Sequence, residues 1–366
     1  LVLPAQGPQV REDPLLVPFT NLAARHAEVA EAVETQVIEV LRSGTYIGGP
    51  TVASLEQRVA ARLGRAHGVG VASGTDALVL ALMALGIGPG DEVIVPDVTF
   101  FATASAVLQV GARPVLVDVL PSAPLLDPKA AAEAVGPAVR AIIPVDLFGA
   151  AAPSQSVELP VVLDAAQSLG DRHCSQGTLC TTSFYPTKIL GGAGDGGMVA
   201  TDDTELARAI RLLANHGSLE RDHHITVAGH IGRNSRLDAI QAAVVLGHLQ
   251  TLDRRLARRR ALARTYQSHL GDRAAACDVD GAISIFVIRH GDRNMLRERL
   301  SRSGIETQIY YSRPLSQQPA LKGRCRIPEP TRQAHGFCQE ALALPCHEGM
   351  TDAQLQVVLD ALEACW

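Results

Sequence analysis

The chain has 366 residues, is 47% hydrophobic and carries a formal net charge of −5 at pH 7, with 32 Gly and 21 Pro. That length suits a large domain with a smaller lobe, and the acidic balance gives no reason to expect a nucleic-acid partner. No apolar run reaches the ~20 residues of a membrane span, and seven cysteines without a CxxC pair point to reduced thiols in a cytoplasmic protein.

Residues 1–16 open with no basic segment ahead of an apolar stretch, so they suit a poorly ordered leader better than a signal peptide. From Val17 to Gly44 apolar positions recur at helical spacing, with Gly44 as the C-cap. Short apolar runs then alternate with helical segments. Strands are expected at 69–72, 92–95 and 115–119, and helices at 76–85 and 101–110. Asp127-Pro128 opens a further helix, with Asp as N-cap and Pro in the first turn. Residues 141–148 and 160–164 are nearly continuous apolar runs, suited to strands buried on both faces. The alternation predicts an α/β doubly wound core with a mostly parallel central sheet. After about residue 246 the texture changes to an arginine-rich helix (252–269), a shorter α+β region and a closing helix (352–365). The boundary between a large domain, 17–250, and a small C-terminal domain, 251–366, is placed there.

Lysine occurs only at Lys129, Lys188 and Lys322, so 30 of the 33 basic residues are arginine. A lysine inside a glycine-rich motif is therefore informative. Lys188 closes Ser183-Phe184-Tyr185-Pro186-Thr187-Lys188 and runs into the glycines of 191–197. An amine forms imines with carbonyls once burial or neighbours lower its pKa; the bland alternative is a solvated loop lysine. Ser183 could donate to a phosphate. At Ser73-Gly74-Thr75 a strand turns into a helix, aiming free backbone N–H groups at an anion, although an ordinary capped helix start has the same look. Asp164 ends a buried strand at the sheet edge where open α/β folds bind ligands. A carboxylate there needs a cationic partner, and Gln167 lies three residues on. Cys174 beside His173 and Cys346 beside His347 lack zinc-type spacing, and no metal is expected. A strand, not a helix, is expected after the 191–197 glycines, which argues against a dinucleotide fingerprint.

Taken in order, these strings resemble the sugar aminotransferase (DegT/StrS) family of fold-type I pyridoxal-phosphate enzymes, from about Val17 to the C-terminus. The resemblance is carried by Gly44-Thr45-Tyr46-Ile47-Gly48-Gly49-Pro50, Ser73-Gly74-Thr75-Asp76-Ala77-Leu78, Gly90-Asp91-Glu92-Val93 and Thr99-Phe100-Phe101-Ala102-Thr103. It continues through Asp164-Ala165-Ala166-Gln167-Ser168, the Lys188 segment, Gly194-Asp195-Gly196-Gly197 and Asn234-Ser235-Arg236-Leu237-Asp238. It implies that Lys188 holds pyridoxal 5'-phosphate, that Asp164 keeps the ring nitrogen protonated, and that Gln167 bonds near the ring hydroxyl. It further implies that Phe100 stacks on the ring and that Gly74, Thr75 and Ser183 hold the phosphate. Asn234 would reach the phosphate of a partner subunit, making a homodimer with shared active sites.

By the same resemblance the substrates are an amino-acid donor, glutamate, and a nucleotide-linked keto-sugar in amino-sugar or polysaccharide biosynthesis. Gln167 after Asp-Ala-Ala resembles members acting at C3 of the hexose. The stretch 213–238 is similar to enzymes that aminate a 3-keto uronic acid derivative of a UDP-linked N-acetyl sugar. Arg236 then pairs with a carboxylate or forms an interface salt bridge, and Tyr310 and Tyr311 line the sugar site or simply pack. Ser316 stands where members often show His, and segments near 149–161 and 270–290 look shortened. The alternatives are a cofactor-bearing sugar-nucleotide sensor without turnover, for which Lys188 would be unnecessary, and an aminotransferase acting on a cyclitol.

Overall fold

A computed structural model describes residues 16–169, 177–271 and 278–365. Most of the leader and the His173–Cys174 pair lie outside the described residues. Seven strands form one sheet: β1 (His67–Val71), β2 (Glu92–Pro96), β3 (Arg113–Val117), β4 (Val139–Ile142), β5 (Val162–Asp164), β6 (Leu179–Ser183) and β7 (Gly197–Thr201). Four pair in the order β1-β7-β6-β5 and three in the order β3-β2-β4. Parallel bridges from Ile142 to Val161 and from Val145 to Asp164 join the two groups. Of the seven, β7 runs opposite to the other six, pairing antiparallel with β1 and β6. The C-terminal ends of the other six strands therefore share one edge.

Both faces of the sheet are covered, which is why its strands read as continuous apolar runs. Val93 and Val95 enter a core shared with α4 (Gly74–Ala84), α5 (Phe101–Gln109) and α7 (Thr204–Ala214), whereas Ile94 enters a core on the opposite face. Likewise Leu179 and Val199 face the first core, while Cys180, Met198 and Ala200 meet α3 (Gly49–Arg62) and α8 (Ala239–Leu249). The period of two, with apolar residues in both phases, predicts this arrangement. Asp127 caps α6 (Pro128–Glu133), its Oδ1 accepting from the Lys129 N–H at 2.9 Å.

Several predicted elements are shifted by one or two residues, and two differ in kind from the observed ones. The helical spacing of 17–44 is carried by two helices, α1 (Leu22–Ala27) and α2 (Ala30–Ser43), because Val29 leaves helical geometry at φ −130°. Gly44 does cap α2 in the left-handed region, at φ 67°. The run 141–148 is not one strand. The regular ladder stops at Ile142, Pro144 has no N–H to offer, and a short 3-10 turn covers Leu147–Gly149.

The remaining elements build a third core. It joins α9 (Leu252–Leu270), the antiparallel pair β12 (Phe286–Arg289) and β13 (Ala341–Leu344), α10 (Arg293–Arg302) and α12 (Asp352–Cys365) around Tyr266, Phe286, Leu300 and Leu342. Helix α11 (Arg332–Glu340) packs beside β12. The chain's start crosses to this unit: Val17 belongs to the same core and pairs with Ile305. Between α7 and α8 lie two small hairpins, β8 (Ser218–Glu220) with β9 (His223–His224) and β10 (Thr226–Val227) with β11 (His230–Ile231). Among the described residues no helix is long and apolar enough to cross a membrane.

Candidate active site

The shared edge of the sheet gathers most of the residues singled out by the sequence. Asp164 ends β5 and is buried. Its Oδ2 accepts from Thr103 Oγ1 at 3.0 Å, and its Oδ1 accepts from the Ala166 N–H at 3.2 Å. Burial raises its pKa above the ordinary carboxylate value, opposed by these two hydrogen bonds and by the charge of Lys188. Lys188 shows the mirror image: burial lowers its pKa, and Asp164 opposes the shift. An amine and a carboxylate thus share one poorly solvated site, each steadying the other's charge.

Lys188 lies in the turn after β6. Its N–H donates to the Tyr185 carbonyl at 2.9 Å, and the Gly192 N–H donates to the Phe184 carbonyl at 2.7 Å, closing the loop on itself. The glycines are needed for close approach. A Cβ on Gly191 would lie 2.4 Å from the Pro186 carbonyl oxygen, so a side chain there cannot be accommodated without moving the backbone.

The second cluster is the start of α4. Ser73 caps the helix, its Oγ accepting from the Asp76 N–H at 3.1 Å, and Thr75 stands in the first turn, half-buried. A Cβ on Gly74 would lie 2.7 Å from Ser183 Cβ. Glycine here lets the helix terminus sit against Ser183 at the end of β6. Unpaired N–H groups of a helix terminus beside a serine hydroxyl form an anion site.

Gln167 is buried. Its Oε1 accepts from the Phe148 N–H at 2.8 Å, and its Nε2 donates to the Tyr311 hydroxyl at 3.4 Å. Tyr311 has its phenol pKa raised, chiefly by burial. Its ring centroid lies 6.4 Å from that of Phe100 and 5.6 Å from that of Tyr310. Phe100 is 56% exposed although it follows a buried strand, so one aromatic face is open at the edge of the cluster. Lys188, Asp164, Gln167, Tyr311 and Phe100 are thereby brought together.

Asn234 and Arg236 are exposed and engage one another, Arg236 Nε donating to Asn234 Oδ1 at 3.0 Å and Arg236 Nη1 to Asn215 Oδ1 at 3.0 Å. Among the described residues neither bonds to the Lys188–Asp164 cluster. Ser235 between them is fully buried and accepts from the Ala72 N–H at 3.2 Å, tying the segment to the end of β1. Thr103 was not anticipated as a site residue. It lies inside the 99–103 string, yet nothing local reveals that its hydroxyl turns toward a carboxylate 61 positions on. No group of three or more metal-ligating side chains occurs among the described residues.

Known proteins resemble this chain over most of its length. Residues 27–363 match the model of a family described as the DegT/DnrJ/EryC1/StrS aminotransferase family. A UDP-2-acetamido-2-deoxy-3-oxo-D-glucuronate aminotransferase of Pseudomonas aeruginosa is 37% identical over 365 residues, covering 95% of this chain and 99% of its own. Among solved structures, DesV of Streptomyces venezuelae matches with a TM-score of 0.89 at 38% identity, over 95% of this chain and 98% of that one. NtdA of Bacillus subtilis, solved with its cofactor PMP bound, matches with a TM-score of 0.88 at 26% identity, over 96% of this chain and 85% of that one.

Proposed function

The chain belongs to the DegT/DnrJ/EryC1/StrS aminotransferase family of pyridoxal-phosphate enzymes, and from that premise we propose that Lys188 carries the cofactor. We further propose that the enzyme transfers an amino group from L-glutamate to C3 of a keto-sugar borne on a nucleotide. The observation that carries the reading is the geometry of one sheet edge: Asp164, buried and held by Thr103 and the Ala166 N–H, lies within electrostatic reach of Lys188, beside a helix terminus that has no room for a Cβ at Gly74.

The residues present fit the cofactor. The start of α4, with Gly74, Thr75 and Ser183, supplies N–H and hydroxyl donors for its phosphate. Asp164 would pair with its ring nitrogen, since a desolvated carboxylate gains from a cation there. Phe100, with its exposed ring, would stack on the cofactor ring, and Gln167, bonded to Tyr311, would hold the side of the ring hydroxyl. Bound pyridoxal phosphate supplies the electron sink for charge developing at the donor's Cα.

The protein positions groups and moves protons. Lys188 Nζ, its pKa lowered by burial, takes the proton from the donor's Cα and later returns one, as general base and then general acid. Thr103 and the Ala166 N–H keep Asp164 oriented. Tyr310 and Tyr311 line the sugar side, and Arg236 pairs with a carboxylate of the sugar or of the donor. Asn234 extends to the phosphate of a partner subunit, its exposure on a single chain supporting a homodimer with shared sites. Amination at C3 is supported by the reaction in the name of the Pseudomonas aeruginosa relative.

The test is the visible absorbance of cofactor-loaded protein before and after L-glutamate. The reading expects a yellow band that glutamate discharges and a keto-sugar nucleotide restores, with no band in Lys188→Ala. A band that persists in Lys188→Ala overturns the lysine assignment. A band indifferent to every amino donor favours a sensor without turnover, and restoration by a free cyclitol ketone but not by a UDP- or dTDP-keto-sugar overturns the substrate.

A further inference from the structure

We propose that Arg25 is a positioning residue for Lys188, acting through the backbone of the lysine loop; the functional meaning of this rests on Lys188 being the cofactor-bearing residue. Arg25 sits on α1, is 5% exposed, and lies 163 positions from the lysine. Its Nη1 donates to the carbonyl oxygens of Pro186 at 3.0 Å and of Lys188 at 2.8 Å. Its Nε donates to Glu348 Oε1 at 2.5 Å. One guanidinium therefore joins α1, the lysine loop and the segment after β13.

Glu348 is shared with two further buried arginines. Arg259 Nε donates to its Oε2 at 2.7 Å, and Arg255 Nη1 stands 3.9 Å from Oε1. Arg259 Nη2 also lies 2.7 Å from Glu348 Oε2, and the further hydrogen bonds of these two arginines go to carbonyls outside the lysine loop. Arg259 Nη1 holds the carbonyls of Ser284 and Cys346, and Arg255 Nη2 holds that of His248. Of the three, only Arg25 grips the lysine loop.

A buried ion pair is weak evidence of a stabilising role, since packed apolar side chains often serve as well. What an apolar residue could not do here is hold two carbonyls that flank the reactive side chain. The loop's own hydrogen bonds use the Lys188 and Gly192 N–H groups and the Tyr185 and Phe184 carbonyls. Arg25 therefore fixes the Pro186 and Lys188 peptides from outside, and with them the Cα from which the lysine reaches toward Asp164. The charge that acts on the amine is that of Asp164, so the influence of Arg25 passes through geometry. Lysine is a poor replacement, because an ammonium centred on one nitrogen cannot span both the Nε and the Nη1 positions.

The experiment compares Arg25→Lys, Arg25→Met and Arg259→Met in the full chain, with and without cofactor. Hydrogen–deuterium exchange over residues 184–194 is read first. Next come the rate and half-saturation of the glutamate-driven absorbance change, with the thermal midpoint as the control for global damage. Loss of hydrogen bonds to a charged group predicts that Arg25→Met raises loop exchange and lowers the maximal rate by about tenfold to a hundredfold. Half-saturation should stay within about threefold, and Arg25→Lys should fall between, at a near-parental thermal midpoint. Arg259→Met breaks the same buried cluster and should leave loop exchange within about threefold, whatever its thermal midpoint. Equal loop exchange in the Arg259→Met and Arg25→Met proteins, or unchanged exchange in Arg25→Lys and Arg25→Met, would overturn the proposal. Should Arg25→Met fail to fold, Arg25→Lys, which keeps the charge on Glu348, carries the test. Exchange without cofactor does not depend on where the cofactor attaches, so failure of the lysine assignment in Lys188→Ala remains separate.

Discussion

Removing one buried hydroxyl, in Thr103→Val, should make the stability of the cofactor-free protein more sensitive to pH. Thr103 is fully buried on α5; its Oγ1 donates to Asp164 Oδ2 at 3.0 Å and stands 3.0 Å from Thr99 Oγ1. With the Thr103 proton committed to Asp164, the Thr99 hydroxyl must be the donor between the two threonines. Valine preserves the shape, so the loss is polar. A hydrogen bond to a charged group contributes roughly 1.5–3 kcal/mol, and stranding the Thr99 hydroxyl adds about 1 kcal/mol. Asp164 can relieve the first part by taking up a proton, toward which burial already pushes it. A carboxyl whose folded pKa is raised favours the fold below its unfolded pKa, and that advantage is lost as pH rises through the folded value. The gap between variant and parent should therefore be wider at about pH 8 than at about pH 5, by up to roughly the 1.5–3 kcal/mol of the charged bond. Urea denaturation at the two pH values measures it, and Thr103→Ser should close most of the gap. Equal losses at both pH values would refute the assignment of Thr103 as the carboxylate's donor.

Gly74→Ala places a Cβ 2.7 Å from that of Ser183. Overpacking of about 1–3 kcal/mol falls on the cradle, so cofactor affinity by absorbance titration should drop about fivefold to a hundredfold, while unchanged affinity would remove Gly74 from the site. His248 and His347 are buried, with imidazole pKa values lowered from 6.5 to about 4 by burial first and by neighbouring arginines next. Each therefore adds stability that is complete above pH 6.5 and lost as pH falls toward about 4, roughly 2 kcal/mol apiece by pH 5. Replacing either with glutamine should flatten the fall in urea midpoint between pH 7 and 5, and an unaltered slope would show that the imidazole does not titrate in that window.

What was legible in the sequence was what is decided locally. Gly44 announces a left-handed cap and Asp127-Pro128 a helix start because caps depend on residues within one turn. Asp164 and Lys188 stand out because a charge amid apolar and glycine residues is costly without a purpose. Strand β1 begins at His67, two residues before the apolar signal, because Gly68 is selected for close approach: a Cβ there would lie 2.8 Å from the Glu56 carbonyl oxygen. Thr103 and Arg25 were invisible for a different reason. Their partners are 61 and 163 positions away, and a lone threonine or arginine on a helix carries no local mark of what it will meet.

Ser316, where the family resemblance leads to an expectation of histidine, illustrates how a motif position and the physics it serves can separate. Asp97 follows β2, is fully buried, and has its pKa raised by that burial. It accepts from the Ser316 N–H, Ser316 Oγ and Thr331 Oγ1, each at 2.6 Å. Because the single Ser316 hydroxyl proton goes to Asp97, the oxygen can only accept from His335 Nε2 at 3.3 Å. A neutral His335 therefore carries its proton on Nε2 and leaves Nδ1 to accept from Gln317 Nε2 at 3.4 Å. A hydroxyl at 316 leaves the carboxylate satisfied, and an imidazole reaches the same chain of hydrogen bonds from α11, 19 positions on. Matching strings residue by residue registers a loss at 316, whereas accounting for every buried donor and acceptor finds the site satisfied.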